Sequence, residues 1–316
     1  MEAVRAAIAD IPLWAGRDLS RSSLRFVGGV TNSSYCVTIG EQSWIVRIPG
    51  AAARKLIDRG AEHHNSLAAA ALDLTVPDHF FDRATGVKVG RFLDGLAPLG
   101  EGELREPGML RDVASLLRAL HGSGAHFEAA FSPGQSFVRC SKWLRAAGHG
   151  IPAPIAAAEA RFQYCRALLD EDAPPRVPCH QDLWRENIIR LNGRLLLIDW
   201  EHSAAGDAMY DLADLSVQAG LSSDEEQTLL GEYLGRPLAS AERIRFRRSA
   251  ILSRFVWGAW AVTRALLDPS AGAAVWERGV TLLARAGAEM EGEGRTVSRR
   301  DAPRRRARGR SDRLRG

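Results

Sequence analysis

The spacing of apolar positions divides the chain into two regions. Over the first ninety residues short apolar-polar runs, Leu24 to Val27, Ser34 to Ile39 and Ser43 to Ile48, are separated by Gly28-Gly29 and Gly40. That pattern predicts three strands joined by turns. A helix is expected from about Arg54 to Leu72, and a strand pair near His79 to Asp82 and Lys88 to Leu93 brackets a turn at Thr85-Gly86. After Gly95 the period lengthens. Gly108 to His121, Ala156 to Leu169, Met209 to Ala219, Ser223 to Leu234, Ala241 to Thr263 and Ala273 to Ala288 carry helical spacing. Ser223 before Asp224-Glu225-Glu226 gives one of these helices an N-cap and an acidic first turn. A single strand pair interrupts the helical region: Asn192-Gly193 is a hairpin turn, and Leu195 to Ile198 is a buried strand ending at Asp199.

The expected fold class is therefore α+β with two lobes: a small antiparallel β lobe over residues 1–93, and a large, mostly helical lobe over 94–290. A third segment, 291–316, holds ten Arg against four acidic residues, which outweighs the chain's net charge of +4 and leaves the body slightly acidic. With few aliphatic residues it is expected to be a disordered, solvated extension. No nucleic-acid module is evident in the body.

Composition narrows the class further. With 316 residues and 46% apolar content the chain can bury two cores. Cys36, Cys140, Cys165 and Cys179 form no close pair and suggest neither a disulfide framework nor a zinc site, so a reducing cytoplasm is the expected compartment. No basic, long-apolar leader follows Met1, and the apolar stretch Ile251 to Leu267 is interrupted by Arg254 and Arg264, which argues against a membrane span.

The chemistry concentrates between His180 and Glu201. Asp182 and Asn187 lie five residues apart on a loop after Pro178, and Asp199 ends the following strand. Phosphoryl transfer needs a group that orients a hydroxyl and oxygen ligands for Mg²⁺ on the phosphates, roles suited to Asp182, Asn187 and Asp199. Upstream, Gly28-Gly29-Val30-Thr31-Asn32-Ser33 joins two strands and lets backbone N–H groups approach phosphate oxygens. Arg47, in the alternating strand Trp44 to Ile48, needs an anionic partner; ATP phosphates and Glu62 are the candidates.

Taken in order, Gly-Gly-x-Thr-Asn-x-x-Tyr, Val-Arg-Ile, Glu62 with Asn65, Leu120-His121, His180 to Asn187, and Ile198-Asp199-Trp200-Glu201 with Asp211 resemble the choline/ethanolamine kinase branch of the aminoglycoside phosphotransferase and protein-kinase-like superfamily. The resemblance runs from about Phe26 to Ala288, with the N-terminal helix and the tail outside it. It implies a protein-kinase-like fold using ATP and Mg²⁺, with Asp182 catalytic, Asn187 and Asp199 as metal ligands, Gly28, Gly29, Thr31, Asn32, Ser33 and Arg47 about the nucleotide, and Glu62 as the partner of Arg47. Arg47 stands where other kinases use Lys.

Phe255 to Trp260 resembles the Trp-Gly-x-Trp segment of choline kinases. Trp257 and Trp260 share a helix face, and indole faces attract a quaternary ammonium. Trp276 is a candidate third wall, and Glu201 and Asp211 are candidate sources of negative potential for the substrate. His202 departs from the aromatic residue that often follows the Glu in that family. The expected partner is a small amino alcohol, choline foremost. Thiamine or an aminoglycoside on the same fold, or a nucleotide-binding pseudokinase acting through partners, are the alternatives.

Overall fold

The computed structural model describes residues 2–29, 32–50, 57–100, 102–128, 133–268 and 271–300. Its N-terminal lobe is a five-stranded antiparallel sheet of β1 (Ser23–Gly28), β2 (Asn32–Ile39), β3 (Gln42–Pro49), β4 (Asp78–Phe81) and β5 (Lys88–Arg91), in the order β1-β2-β3-β5-β4. Cross-strand pairing divides its side chains between two faces. Val37, Trp44, Val46 and Val89 form one apolar face, covered by Ile8 of α1 (Glu2–Ala9) and by Ile11 and Trp14 of the turn behind it. Trp14 is only 2% exposed, so the N-terminal segment completes this core, and removing that indole should cost about 3–5 kcal/mol. The other face carries Cys36 opposite Ile45 and Ser34 opposite Arg47, and it is left for the cleft.

Helix α2 (Arg59–Ala71) packs beside this sheet. Its N-cap is Asp58, whose side chain accepts from the Gly60 and Ala61 amides. The expected start near Arg54 falls among residues outside those described.

The second lobe is mostly helical: α3 (Pro107–His121), α4 (Pro133–Ala146), α5 (Ala153–Glu171), α6 (Ala208–Ala219), α7 (Ser223–Leu234), α8 (Ser240–Leu267) and α9 (Gly272–Arg300). Short strands are set among them: β6 (Ala97–Pro98), β7 (Val177–Cys179), β8 (Ile188–Leu191), β9 (Arg194–Leu197) and β10 (Ala204–Gly206). β8 and β9 form the expected hairpin, with Asn192 at φ 50° and Gly193 at φ 77°, the left-handed pair that a two-residue turn of this kind requires.

α8 runs through the lobe. At 28 residues it is long enough to cross a bilayer, so length does not exclude a span; two thirds of its most apolar window is instead buried by the rest of the chain. Its crossing with α9 is close. A Cβ at Gly258 would lie 2.8 Å from Leu283 Cγ and 3.0 Å from the Gly279 carbonyl oxygen, so the glycine between the two tryptophans serves helix contact. α9 also corrects an expectation: the helix continues past residue 290 to Arg300, with Met290 buried, Glu291 2.5 Å from Arg161, and Glu293 facing Arg247 and Arg248. Residues 301–316 lie outside those described.

Candidate active site

The loop from His180 to Asn187 is held from behind by two carboxylates one turn apart on α6. Asp211 accepts the backbone N–H groups of His180 at 2.7 Å and Gln181 at 2.9 Å, and Asp214 accepts that of Leu183 at 3.0 Å. Asp182 is thus bracketed on both sides. Gln181 adopts φ 62°, a left-handed turn in a non-glycine residue that the Asp211 bonds hold in place. The buried His180 ring donates through Nε2 to the Ile198 carbonyl at 2.9 Å, which ties the loop to the strand end.

Asn187 closes the arrangement. Its amide nitrogen donates to the Asp182 carbonyl at 2.9 Å and to Asp182 Oδ2 at 3.1 Å, while its own backbone carbonyl accepts from Ile198 N at 2.9 Å. Asp199 follows at φ 71°, a strained turn that sharply redirects the chain after the strand. The hairpin therefore brings Asp182, Asn187 and Asp199 together.

Across the cleft the sheet supplies cations. Arg47 reaches Asp199 at 2.6 Å and Glu201 at 2.9 Å, while Glu62 lies 3.9 Å away. The partners of Glu62 are instead Lys88, its closest contact, and Arg59 at 2.5 Å. Burial opposes charge on Glu62, yet Lys88, Arg47 and Arg59 together hold its carboxyl below the usual range. Asp199 follows the same logic: desolvation would raise it, but Arg47 and Lys88 keep it low. Asp182 behaves in the opposite way. Burial, then the neighbouring Asp199 and Asp214, push it well above an ordinary carboxylate.

Lys88 and Arg59 are site residues that the sequence reading misses. Lys88 pairs in register with Arg47 across β3 and β5, and the argument that a cation in an apolar strand needs an anion applies equally to Val87-Lys88-Val89.

The described part of the glycine-rich segment reaches this cluster through Asn32. Gly29 has φ 121°, and a Cβ there would fall 1.9 Å from the Asn32 carbonyl oxygen, so no other residue fits. Gly28 ends β1 and Ser33, in β2, pairs with Ile48 of β3, whereas Thr31 lies outside the described residues. The Asn32 side chain is committed differently from the expectation: its amide donates to both Glu201 oxygens at 3.2 Å, clamping the turn to the second lobe.

Further out along the same sheet face, a cleft of about 710 Å³ is lined by Arg25, Cys36, Thr38, Phe92, Leu93 and Asp94. It lies between the sheet and the segment joining the lobes, on the sheet face that carries Arg47. Glu62, Asp199 and Glu201 carry carboxylate oxygens within 4.8 Å of one another, but Glu62 and Glu201 are taken by Lys88, Arg59 and Arg47, which leaves the Asp199 carboxylate and the Asn187 side-chain oxygen as the hard-oxygen donors that fit Mg²⁺.

Two expected substrate residues are placed elsewhere. Asp211 is fully buried, and its oxygens are taken by the His180 and Gln181 amides and by His121 Nε2 at 3.1 Å, so it cannot meet a ligand. Glu201 is 4% exposed and belongs to the cation cluster. Trp276, on α9, is half-buried against the helical core.

Trp257 and Trp260 do meet, edge to face, with ring centres 5.9 Å apart, and the His202 ring adds a third member 6.1 Å from Trp257. Burial lowers the His202 pKa to about 4, which keeps that ring neutral at pH 7. The Trp257 indole donates to Asp214 Oδ1 at 2.6 Å. Arg264 lies 5.4 Å over the Trp260 ring.

The chain is similar to known proteins in sequence and in fold. The model of the phosphotransferase enzyme family matches residues 23–247. The chain is 31% identical over 213 residues to the protein LicA of Haemophilus influenzae, covering 66% of this chain and 61% of that one, so the match spans less than two thirds of the relative's length. Among solved structures it is similar to a choline/ethanolamine kinase family protein from Mesorhizobium loti, with 28% identity, 92% of this chain and 94% of that one covered, and a TM-score of 0.73. It is similar also to the choline kinase LicA from Streptococcus pneumoniae, with 27% identity, 85% and 94% covered, and the same TM-score of 0.73. The family model covers more than half of the chain, and the chain belongs to the phosphotransferase enzyme family.

Proposed function

We propose that the protein is an ATP- and Mg²⁺-dependent kinase that transfers the γ-phosphate to the hydroxyl of an amino alcohol, with choline the first candidate. The observation that carries this reading is the aromatic group Trp260, Trp257 and His202, joined through Asp214 to the loop bearing Asp182. Indole faces beside buried carboxylates suit a cation that cannot donate hydrogen bonds. Relatives named as choline and choline/ethanolamine kinases support the same acceptor class.

In this reading Asp182 accepts the hydrogen bond of the acceptor hydroxyl and aims its oxygen at the phosphorus. Its raised pKa, from burial and from Asp199 and Asp214, suits a group that takes the proton as the new bond forms. Asn187 and Asp199 would hold Mg²⁺, which neutralises charge on the β- and γ-phosphates when bound. Arg47 exchanges some of its contact with Asp199 and Glu201 for phosphate oxygens. Lys88 and Arg59 keep Glu62 compensated while that exchange occurs.

The test is ATP consumption by the purified protein across choline, ethanolamine, methylated ethanolamines, thiamine and an aminoglycoside panel. Choline is expected to lead, and Trp257→Ala should raise its KM by roughly five- to thirty-fold, about 1–2 kcal/mol of cation–π attraction, with the KM for ATP nearly constant. Equal use of choline and ethanolamine, or no use of either, would sink the acceptor assignment.

A further inference from the structure

We infer that Asp214 is a positioning residue that couples the Trp257 indole to the loop carrying Asp182, and so sets the preference for a cationic over a neutral acceptor. The inference rests on the amino-alcohol reading for its substrate class, but its geometry stands independently. Asp214 belongs to α6, is fully buried, and receives three donors on two oxygens. Oδ2 takes the Leu183 amide at 3.0 Å; Oδ1 takes Ser253 Oγ at 2.7 Å and Trp257 Nε1 at 2.6 Å. One carboxylate thus meets the residue after Asp182 and two residues a turn apart on α8.

Asp211, one turn earlier on α6, is the natural comparison. It also grips the loop, through His180 and Gln181, but its further contact is His121 of α3 and not an indole. Asp211 therefore anchors the loop alone, whereas Asp214 anchors loop and indole with one group. The distinction has an electronic side as well as a geometric one. A short hydrogen bond from an indole N–H to a carboxylate shifts electron density into the ring, which makes its face a better seat for a cation. Ser253 has a different role: its hydroxyl fixes the carboxylate rotamer without touching the loop.

Steady-state kinetics of the full chain, at a pH well above 7 so that Asp214 is ionised, test this with choline and its neutral isostere 3,3-dimethylbutan-1-ol, comparing parent, Asp214→Asn, Asp214→Glu, Trp257→Phe and the Asp214→Asn/Trp257→Phe double variant. Asp214→Asn should raise the KM for choline by about tenfold while moving that of the neutral alcohol and of ATP by no more than about twofold, because the change removes charge and keeps shape. Trp257→Phe should abolish most of the further effect of Asp214→Asn on the choline-to-isostere ratio. Asp214→Glu, which keeps the charge, should recover some of the preference and provides the test if the Asn variant does not fold. Parallel losses for both alcohols, or additive effects in the double variant, would overturn the inference and leave Asp214 a structural clip.

A second readout separates this result from the acceptor assignment. In ¹⁵N-labelled protein without acceptor, Trp257→Phe should shift the Leu183 amide resonance, because both donors share one carboxylate. If parent protein phosphorylates no amino alcohol, the acceptor reading fails and this shift alone decides the coupling; an unmoved Leu183 amide refutes it.

Discussion

The two ends of the site handle negative charge in opposite ways. At the phosphate end Asp199, Glu201 and Glu62 face Arg47, Arg59 and Lys88, and the cations come from the sheet lobe and α2. At the acceptor end the donors found on Asp182 and Asp214 are neutral: an Asn amide for the first, and a backbone N–H, a hydroxyl and an indole for the second. The first region is compensated before any ligand arrives, and Mg²⁺ and phosphates would replace contacts already made. The second retains buried carboxylates whose charge is costly, and a cationic acceptor would relieve that cost. Under the proposed function, the contrast lets one end of the site receive a polyanion and the other a cation.

Asp199→Asn should break the phosphate end most completely. The amide keeps the volume and loses the charge that faces Arg47 and would hold metal, so turnover should fall at least about 100-fold, roughly 3 kcal/mol in the transition state, with the fold intact. Near-parental turnover by a folded Asn variant would remove Asp199 from the metal set.

Lys88→Met examines the compensation itself. Glu62 is fully buried, and losing its closest cation would leave it with Arg59 at 2.5 Å and the more distant Arg47. Breaking a buried pair costs about 3–5 kcal/mol when no other partner remains, so about 2–3 kcal/mol is expected here, read as a fall in Tm at pH 7. An unchanged Tm would mean Arg59 alone suffices.

How much of this contrast can be read from sequence follows from the range of each interaction. The β8–β9 hairpin and its acids are legible because turn chemistry, strand pattern and residue spacing are all local. The two-face sheet is legible by alternation, and with it the place of Arg47. α4 is not, because Pro133-Gly134 and the serines at 136 and 141 mask an apolar spacing carried by Phe137, Cys140 and Leu144. β7 and β10 are three residues each and include Pro178 and Gly206, too short for any period. The partners of Asp211, Asp214 and Glu201 are contacts across 30 to 169 residues of chain, and no local pattern encodes them. For that reason sequence alone points Asp211 and Glu201 at the substrate and gives Asp214 no role.

The acceptor end can be sharpened through pH. Burial pushes the Asp214 carboxyl up to about 7 despite its bonds from Ser253, Trp257 and Leu183. Between the ordinary value near 4 and about 7 the folded chain then holds a proton that the unfolded chain has lost. Stability from this group is therefore full at acid pH and declines as pH rises through that window. Asp214→Asn cannot titrate, so the difference in Tm between variant and parent should change steadily from pH 4 to pH 7, in favour of the variant. A constant difference would show that the carboxylate stays ionised throughout.

The smallest effect concerns Trp260. Arg264 lies 5.4 Å over its ring and 3.6 Å from Asp268, and the Arg264 side chain is 22% exposed. One face of that indole therefore already carries a cation. If the acceptor uses Trp260 as well as Trp257, a fixed guanidinium weakens the seat by repelling the ligand's charge and by drawing on the same π density. Arg264→Gln should then lower the KM for choline by about two- to five-fold, the equivalent of 0.5–1 kcal/mol at a partly exposed cation–π site, and leave the neutral isostere unchanged. An unchanged KM for choline would confine the acceptor to Trp257 and His202, and the contrast between the two ends would rest on Asp182 and Asp214 with a single indole between them.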